Sequence, residues 1–353
     1  MRHFRAATPA LLATGALVLT ACSAIGGDDG GSEDPGAERV VLATHDSFVL
    51  PKPLQRQFEE ESGYELVVRA SGDAGSLTNK LVLTRSNPLG DAVFGIDNTF
   101  ASRALEEGVL APYDATLPDG VEQYRLPGDD EHALTPIDNA SVCVNVDDTW
   151  FEERGQEPPA SLDDLVDPAY ENLFVTPGAA TSSPGMAFLL ATIAAYGEEW
   201  PDYWERLMAN GAKLTDGWSD AYQVDFTQGG GSGKRPIVLS YDSSPAFTIA
   251  EDGTSTTSAL LDTCFRQVEY AGVLEGAENP DGAEALIDFL LTPEVQAALP
   301  ESMYVFPVDP ATTLPQEWAS YAVAPTDPLE VDPAEIAANR DDWLREWSDV
   351  TSR

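Results

Sequence analysis

Short apolar strands alternate with helical segments from Arg39 onward, and this alternation constrains the fold more than any other feature of the chain. The first block predicts a strand over 40–44, a helix over 53–62 ended by Gly63, a strand over 64–69, a helix capped by Ser76, a strand over 91–96 and a helix over 100–107. Repeated β-α units of this kind predict a mainly parallel sheet that helices cover on both faces.

A second block of strands and helices begins near Ser141. Its predicted elements are helices starting at Ser161 and Ser244, helices over 184–196, 198–208, 281–291, 293–299 and 333–347, and strands over 236–241 and 264–270. We predict an α/β protein of two lobes joined by crossover strands, with lobe 1 from 39–139 plus 268–308 and lobe 2 from 140–267 plus 309–353. In such a fold, ligands bind in the cleft at the carboxyl ends of the strands.

The N-terminal segment carries the pattern of a secretory signal. Two arginines precede an apolar run over 10–19 that is too short to span a bilayer comfortably. Leu19-Thr-Ala-Cys22 is the lipobox pattern, so we expect residues 1–21 to be removed and Cys22 to carry a lipid. Residues 22–38, rich in Gly, Asp, Ser, Glu and Pro, predict a flexible linker. The body is then expected outside the cytoplasm, anchored to the outer face of the cell membrane.

Charge excludes one large class of partners. The chain has 60 acidic and 19 basic residues and a formal net charge of −41. Nucleic acid is not expected to bind, because it requires a basic surface. A hydrophobic content of 43% indicates a globular chain with substantial cores.

Two cysteines, Cys143 and Cys264, remain once Cys22 is assigned to the lipid. Both lie in strand-like segments, and an oxidising compartment favours a disulfide between them. If those segments are neighbouring crossover strands, the bridge would fasten the hinge. The pair is too sparse for a zinc site, so we expect no metal and no cofactor.

Polar side chains follow successive strands of the first block. His45 and Asp46 follow the first strand, Asp73 the second and Asp97 the third. Because such loops converge in a doubly wound sheet, the carboxylates would suit a cationic ligand with amino donors; capping roles are the alternative for each one. A hydrolase triad at His45, Asp46 and Ser47 is not expected, since neighbours in sequence point apart and no G-x-S-x-G elbow is present.

Aromatic side chains stand at comparable places in the second block. Trp218 follows a strand-like segment, where we expect it to be exposed, and Tyr241 ends a strand. Phe247 lies one helical turn beyond Tyr241, and Tyr304 falls in an irregular stretch. Aromatic faces attract cations and stack on flat heterocycles, although each ring alone is compatible with a core position.

These motifs resemble those of the thiamine-binding proteins of ABC importers, within the ferric/sulfate/thiamine group of periplasmic-type solute-binding proteins. The matching segments are Asp46–Phe48, Gly95–Asn98, Thr181–Gly185, Gly217–Tyr222, Leu239–Ala246, Gln267–Glu269 and Pro333–Arg340. The resemblance implies a two-lobed type II periplasmic-binding-protein fold and a monomer that is not an enzyme. It also implies thiamine or a thiamine phosphate as the ligand and an ABC permease as the partner.

The resemblance further implies roles for individual residues. Trp218 and Tyr241 would line the thiamine site, with Asp46 and Asp73 as polar contacts. Ser182 and Ser183 would lie in a loop at a helix N-terminus that suits a hydroxyl or a phosphate. The chain departs from the family pattern in four places. His45 and Phe247 stand where Tyr is frequent, Tyr304 stands where Trp is frequent, and a tryptophan expected soon after Phe48 is absent.

Other solutes in the same fold stay open as alternatives, namely ferric iron, sulfate or a polyamine. Ferric binders of this group generally use paired tyrosines, and no Tyr-Tyr dipeptide occurs here. Three aspartates at the cleft would disfavour the binding of sulfate, because carboxylates repel an anion. A secreted enzyme of related fold would need a cysteine nucleophile, and neither Cys143 nor Cys264 falls in a strand-end loop.

Overall fold

The structure is a computed structural model that describes residues 38–352. The predicted signal segment, the predicted lipidation residue Cys22 and the linker up to residue 37 lie outside the described residues. Within residues 38–352, no helix has both the length and the apolar content needed to cross a membrane.

Ten strands of the described chain form one mixed sheet. They are β1 (Arg39–Thr44), β2 (Glu65–Ala70), β3 (Ala92–Asp97), β4 (Leu110–Ala111), β5 (Thr135–Asp147), β6 (Phe174–Pro177), β7 (Lys213–Thr215), β8 (Ile237–Tyr241), β9 (Thr257–Leu274) and β10 (Phe306–Pro307). The main path runs β2-β1-β3-β9-β5-β8-β6-β7, while β4 pairs with β9 and β10 with β5. Strand β1 is parallel to β2 and β3, and β6 is parallel to β7 and β8, as the β-α alternation predicts.

Two long antiparallel strands, β5 and β9, run through both parts of the sheet. Their pairing extends from Thr135 opposite Ala271 to Asp147 opposite Thr257. At one end β3 pairs with β9, and at the other β8 pairs with β5. These are the predicted crossover strands, and we call the part around β1–β3 the first half and the part around β6–β8 the second half. The exact lobe boundaries stay a prediction.

A disulfide joins the two crossover strands near their middle. It links Cys143 of β5 to Cys264 of β9, whose Cα atoms are 4.2 Å apart. Both cysteines are fully buried. The bridge therefore fastens the strands that connect the two halves.

Ten helices accompany the sheet in the described chain. They are α1 (Lys52–Ser62), α2 (Ala74–Leu83), α3 (Ala101–Glu106), α4 (Asp148–Arg154), α5 (Ser183–Tyr196), α6 (Trp200–Ala209), α7 (Pro280–Leu290), α8 (Pro293–Met303), α9 (Gln316–Tyr321) and α10 (Pro333–Thr351). Gly63 ends α1 in the left-handed conformation, as predicted.

Three local predictions were wrong. The helix expected from Ser161 is only a short 3₁₀ turn over Asp164–Val166, because Pro168 disfavours helical geometry at the residue before it. The segment from Ser244 is a 3₁₀ turn as well, since its hydroxyl serves Ser240 and the Tyr241 amide instead of a helix. The cap of α2 is Asp73 rather than Ser76.

The core of the second half fixes one end of the cleft. Helix α5 is buried on all sides from Ser183 to Ile193, so its N-terminus is held rigidly. The C-terminal helix α10 packs on α6, with the ring of Trp347 at 5.7 Å from the ring of Trp204 in an edge-on contact. The first half has a separate core around β1, β3 and α7.

Candidate functional site

A small cavity lies between the two halves, at the carboxyl ends of β1, β2, β7 and β8, as the fold class predicts. Its volume is about 30 Å³. It is lined by His45, Ser47, Asp73, Ala74, Ser183, Pro184, Trp218, Tyr241, Glu269, Met303 and Val305. Larger depressions around Arg206 and around Arg266 contain none of the predicted ligand-binding residues.

His45 is buried directly after β1, and a glycine in β3 makes room for it. A Cβ atom at Gly95 would come within 2.1 Å of His45 Cδ2, and Gly95 has φ = +98°, so only glycine fits there. His45 Nδ1 accepts a hydrogen bond from the Ser47 amide, which places the ring proton of the neutral form on Nε2. Nε2 lies 3.4 Å from Glu269 Oε1. Burial lowers the pKa of His45, but Glu269, through its charge and hydrogen bonding, and the charges of Asp73 and Asp46 together raise the pKa above its usual value.

Asp73 connects the two halves. Its Oδ1 accepts from the Ala74 amide and caps α2, and its Oδ2 accepts from the Trp218 amide at 2.9 Å. Burial raises the pKa of Asp73, and the bond from Trp218 acts against this rise. Asp73 therefore belongs to the cavity wall and also holds the Trp218 loop closed.

Glu269 lies at the centre of a row of carboxyl groups on three neighbouring strands. In the sheet it stands opposite Asp97 of β3 and opposite Asp138 of β5. Asp97 and Asp138 are fully buried, and Glu269 is 6% exposed and lines the cavity. Burial raises the pKa of Asp97 to about 6 and, together with the charge of Glu269, raises the pKa of Asp138 well above its usual value.

The wall contributed by the second half is aromatic. Trp218 is only 6% exposed, so the prediction of an exposed ring was wrong. A π-helical turn over Asp220–Asp225 stacks Tyr222 on the indole, with ring centroids 5.1 Å apart and an interplanar angle of 12°. The indole Nε1 donates to Ser240 Oγ at 3.0 Å, which fixes the orientation of the ring. Trp218 is thus a positioned surface of the cavity rather than an exposed tip.

Two tyrosines complete the aromatic surroundings. Tyr241 ends β8, with its ring 6.1 Å from Trp218, and burial raises its pKa well above the usual value, so it stays a phenol. Tyr304 caps α8 in the left-handed conformation, and its ring is 6.0 Å from Trp218. Phe247 packs on Tyr304 and Trp318 and does not line the cavity.

Ser182 and Ser183 stand at the N-terminus of α5. Both are buried, with Ser182 beside the Asp73 carboxyl group and Ser183 beside that of Asp97. Neither Oγ reaches a partner within the described chain at full hydrogen-bond geometry. Ser183 lines the cavity next to Pro184. Unpaired hydroxyls at the N-terminus of a buried helix suit a polar or anionic ligand group.

The structure brings five predicted residues to the cavity and leaves five outside its lining. The first group is His45, Asp73, Ser183, Trp218 and Tyr241, and the second is Asp46, Asp97, Ser182, Phe247 and Tyr304. Asp46 Oδ1 instead accepts from the Gly72 amide, and Asp97 Oδ1 accepts from Thr99 and Phe100 at the start of α3. Whether each contacts a ligand stays a prediction.

Glu269 is a site residue that the sequence-based predictions do not include, although it belongs to the Gln267–Glu269 motif. A usable signal was present: an acid within an otherwise apolar strand is rarely buried without a role. Asp138 carries the same signal in β5. Among the described residues, no group of three or more His, Cys, Asp or Glu side chains has the arrangement of a metal site.

Direct contacts across the cleft show that the halves are closed on one another. Ser47 Oγ and Ser219 Oγ are 3.3 Å apart, and the Ser76 amide donates to the Thr181 carbonyl at 3.0 Å. Ser243 Oγ donates to the Tyr304 carbonyl at 2.5 Å. An acidic wall and an aromatic wall therefore face each other in a closed site, an arrangement that can hold a flat cation.

Comparison with known proteins gives relatives for the whole folded body. The chain is 33% identical to a thiamine-binding periplasmic protein of Brucella melitensis over 90% of this chain and 93% of the relative. It is 30% identical to one of Escherichia coli over 89% and 94%. A solved periplasmic thiamin binding protein superposes with a TM-score of 0.78 at 29% identity, covering 90% of this chain and 97% of that one.

More distant structures share the fold alone. Iron-bound HitA from Pseudomonas aeruginosa superposes with a TM-score of 0.68 at 18% identity and covers 89% of this chain and 99% of that chain.

Residues 87–327 match the family of bacterial extracellular solute-binding proteins. With its two halves, crossover strands and central cleft, the chain belongs to this family and has the type II periplasmic-binding-protein fold.

Proposed function

We propose that this protein captures thiamine or a thiamine phosphate outside the cytoplasm and delivers it to an ABC permease. One observation carries the proposal: aromatic side chains of the second half and carboxylates of the first half line the same cavity. Trp218 and Tyr241 form one wall, and Asp73 and Glu269 stand on the other. The names of the relatives that match over most of the chain support this ligand.

The chemistry of thiamine suits these two walls. The ligand joins an aminopyrimidine to a permanently positive thiazolium. Carboxylates such as Asp73 can accept hydrogen bonds from the pyrimidine amino group, and aromatic faces such as Trp218 attract the thiazolium. The unpaired hydroxyls of Ser182 and Ser183 suit the alcohol end of thiamine or its phosphates.

Capture requires the halves to separate. The cavity of about 30 Å³ is far smaller than the roughly 300 Å³ that a small-molecule site usually offers. The ligand therefore enters an open form, and the cross-cleft contacts re-form around it. The closed shape is what the permease would recognise, a population shift driven by the contacts that bridge the cleft.

Titration of the intrinsic tryptophan fluorescence tests the ligand. We expect quenching by thiamine at submicromolar concentration, and a much smaller response of Trp218→Phe, because Trp218 lines the site. Thiamine monophosphate, ferric citrate, sulfate and spermidine serve as competitors. No response to thiamine, alongside a response to another of these solutes, would assign the protein to that solute.

Attachment to the membrane is a separate part of the proposal and rests on the lipobox at Cys22. Detergent phase partitioning of the protein expressed in its host tests it. The natural chain should enter the detergent phase and Cys22→Ser the aqueous phase, while both bind thiamine equally. Equal partitioning of the two proteins would refute the lipid anchor.

A further inference from the structure

The carboxyl row of Asp97, Glu269 and Asp138 is larger than a ligand contact requires. Only Glu269 lines the cavity, and the two aspartates lie behind it on the adjoining strands. Neither oxygen of Asp138 has a hydrogen-bond donor from outside the row within the described residues. Asp97, by contrast, accepts from Thr99 and Phe100 through Oδ1 and lies beside the Ser183 hydroxyl. A carboxyl group buried without donors, as Asp138 is, is costly in the ionised form.

We propose that this row selects the charge of the ligand: the empty site holds a proton among Asp97, Glu269 and Asp138, and a bound cation replaces it. The inference rests on the proposed function and identifies Glu269 as the residue that distinguishes a positively charged ligand from a neutral one of the same shape.

The groups around Glu269 leave few other ways to balance its charge. Facing it are His45 after β1, Asp73 at the cap of α2, Asp97 on β3, Asp138 on β5 and Tyr241 on β8. His45 is the basic group beside Glu269, and it stands against several carboxyl groups. Arg340 of α10 interacts with Asp97, at the end of the row away from Asp138. Since like charges this close in a buried site are not all ionised together, a proton is retained in the row.

Ligand binding then changes the proton count. A cation against Glu269 favours the ionised form of the row, so an O–H bond of a carboxyl group breaks and the proton leaves to solvent. The positive charge of the ligand takes the place of the charge of the proton, and no bond forms to the ligand. Affinity for a cation should therefore rise with pH, whereas affinity for a neutral analogue should not.

The decisive experiment compares two ligands of one shape. Calorimetry measures the affinity for thiamine and for its neutral thiophene analogue, in which carbon replaces the thiazolium nitrogen. Glu269→Gln should lower the affinity for thiamine roughly 10- to 100-fold, because the interaction between the carboxylate and the positive charge is lost. The affinity for the neutral analogue should stay nearly unchanged. Glu275→Gln, an exposed position just beyond β9, is the matched control and should change neither.

A second variant tests the proton itself. Asp138→Asn mimics the protonated acid and keeps a donor toward Glu269. Calorimetry in two buffers of different ionisation enthalpy at pH 6 should show proton release on thiamine binding to the natural protein, and less than half of it for Asp138→Asn. Equal release by the two proteins would overturn the proton exchange.

The outcomes separate the two proposals. If the natural protein does not bind thiamine, the proposed function fails and this inference fails with it. If thiamine binds but Glu269→Gln lowers the affinity for the charged and the neutral ligand equally, or changes neither affinity, the proposed function stands and the charge selection is refuted.

Discussion

The two walls of the cleft differ in how the chain builds them. The acidic wall, His45, Asp73 and Glu269, stands on or beside the strands β1, β2 and β9, where backbone pairing leaves little freedom. In the aromatic wall, Tyr241 is the last residue of β8, whereas Trp218 lies in the turn after β7 and is supported by Tyr222 of a π-helical turn. Charges in a buried site must be held accurately to be paired, whereas ring faces tolerate small shifts. We therefore expect the acidic wall to tolerate a shift in position less than the aromatic wall does.

Both walls depend on the crossover strands, so the largest effect should come from their disulfide. The loop that Cys143 and Cys264 close has a sequence separation of 121 residues. Cys143→Ser together with Cys264→Ser should lower the free energy of unfolding by about 3–5 kcal/mol, because the unfolded chain gains freedom. Urea denaturation with and without reductant measures it: reductant should destabilise the natural protein and leave the double variant unchanged. An equal response of the two proteins would contradict this account.

Paired glycine substitutions compare the rigidity of the walls directly. Gly95→Ala places a Cβ within 2.1 Å of the His45 ring at φ = +98°, whereas Gly217→Ala meets only the Asp73 carboxylate at 3.0 Å with no positive φ. We expect Gly95→Ala to lower the free energy of unfolding by about 2–4 kcal/mol and Gly217→Ala by about 1 kcal/mol or less. Thermal and urea unfolding of both variants measure the difference. Similar losses would show that the acidic wall is no more rigid than the aromatic one.

The pH dependence of stability distinguishes buried acids on the two sides. Burial raises the pKa of Asp242, which follows Tyr241, to about 7 and that of Asp97 to about 6. An acid whose folded pKa is raised destabilises the fold as pH increases from the unfolded pKa to the folded one. The free energy of unfolding of Asp242→Asn should therefore rise by roughly 4 kcal/mol relative to that of the natural protein between pH 4 and pH 8. The corresponding gain in the free energy of unfolding of Asp97→Asn should be smaller and should stop increasing near pH 6. Urea denaturation across this range measures both, and a constant difference would refute the shifts.

The same contrast explains what the sequence could predict. Strands β1 to β3 and helices α1 and α5 follow from apolar periodicity, Gly63 and the proline at the start of α5. Trp218 was identified as a site residue but with the wrong exposure, because the π-helical turn that stacks Tyr222 on it has no local signal. Glu269 was missed because its role comes from neighbours on β3 and β5 that are distant in sequence.

The smallest predicted effects come from two aspartates that the sequence treats alike. Asp73 uses both oxygens, accepting from the Ala74 and Trp218 amides, so Asp73→Asn leaves one amide facing an NH₂ group. Thiamine affinity should then fall by about 1–3 kcal/mol, since the bond that closes the cleft is lost. Asp46 Oδ1 accepts from the Gly72 amide, its one side-chain hydrogen bond within residues 38–352, and Asn keeps that oxygen. Asp46 lies outside the lining of the cavity. Asp46→Asn should therefore change the affinity by less than about 0.5 kcal/mol. Calorimetric titration with thiamine compares the two, and an equal loss in both would mean that Asp46 reaches the ligand when the cleft closes around it.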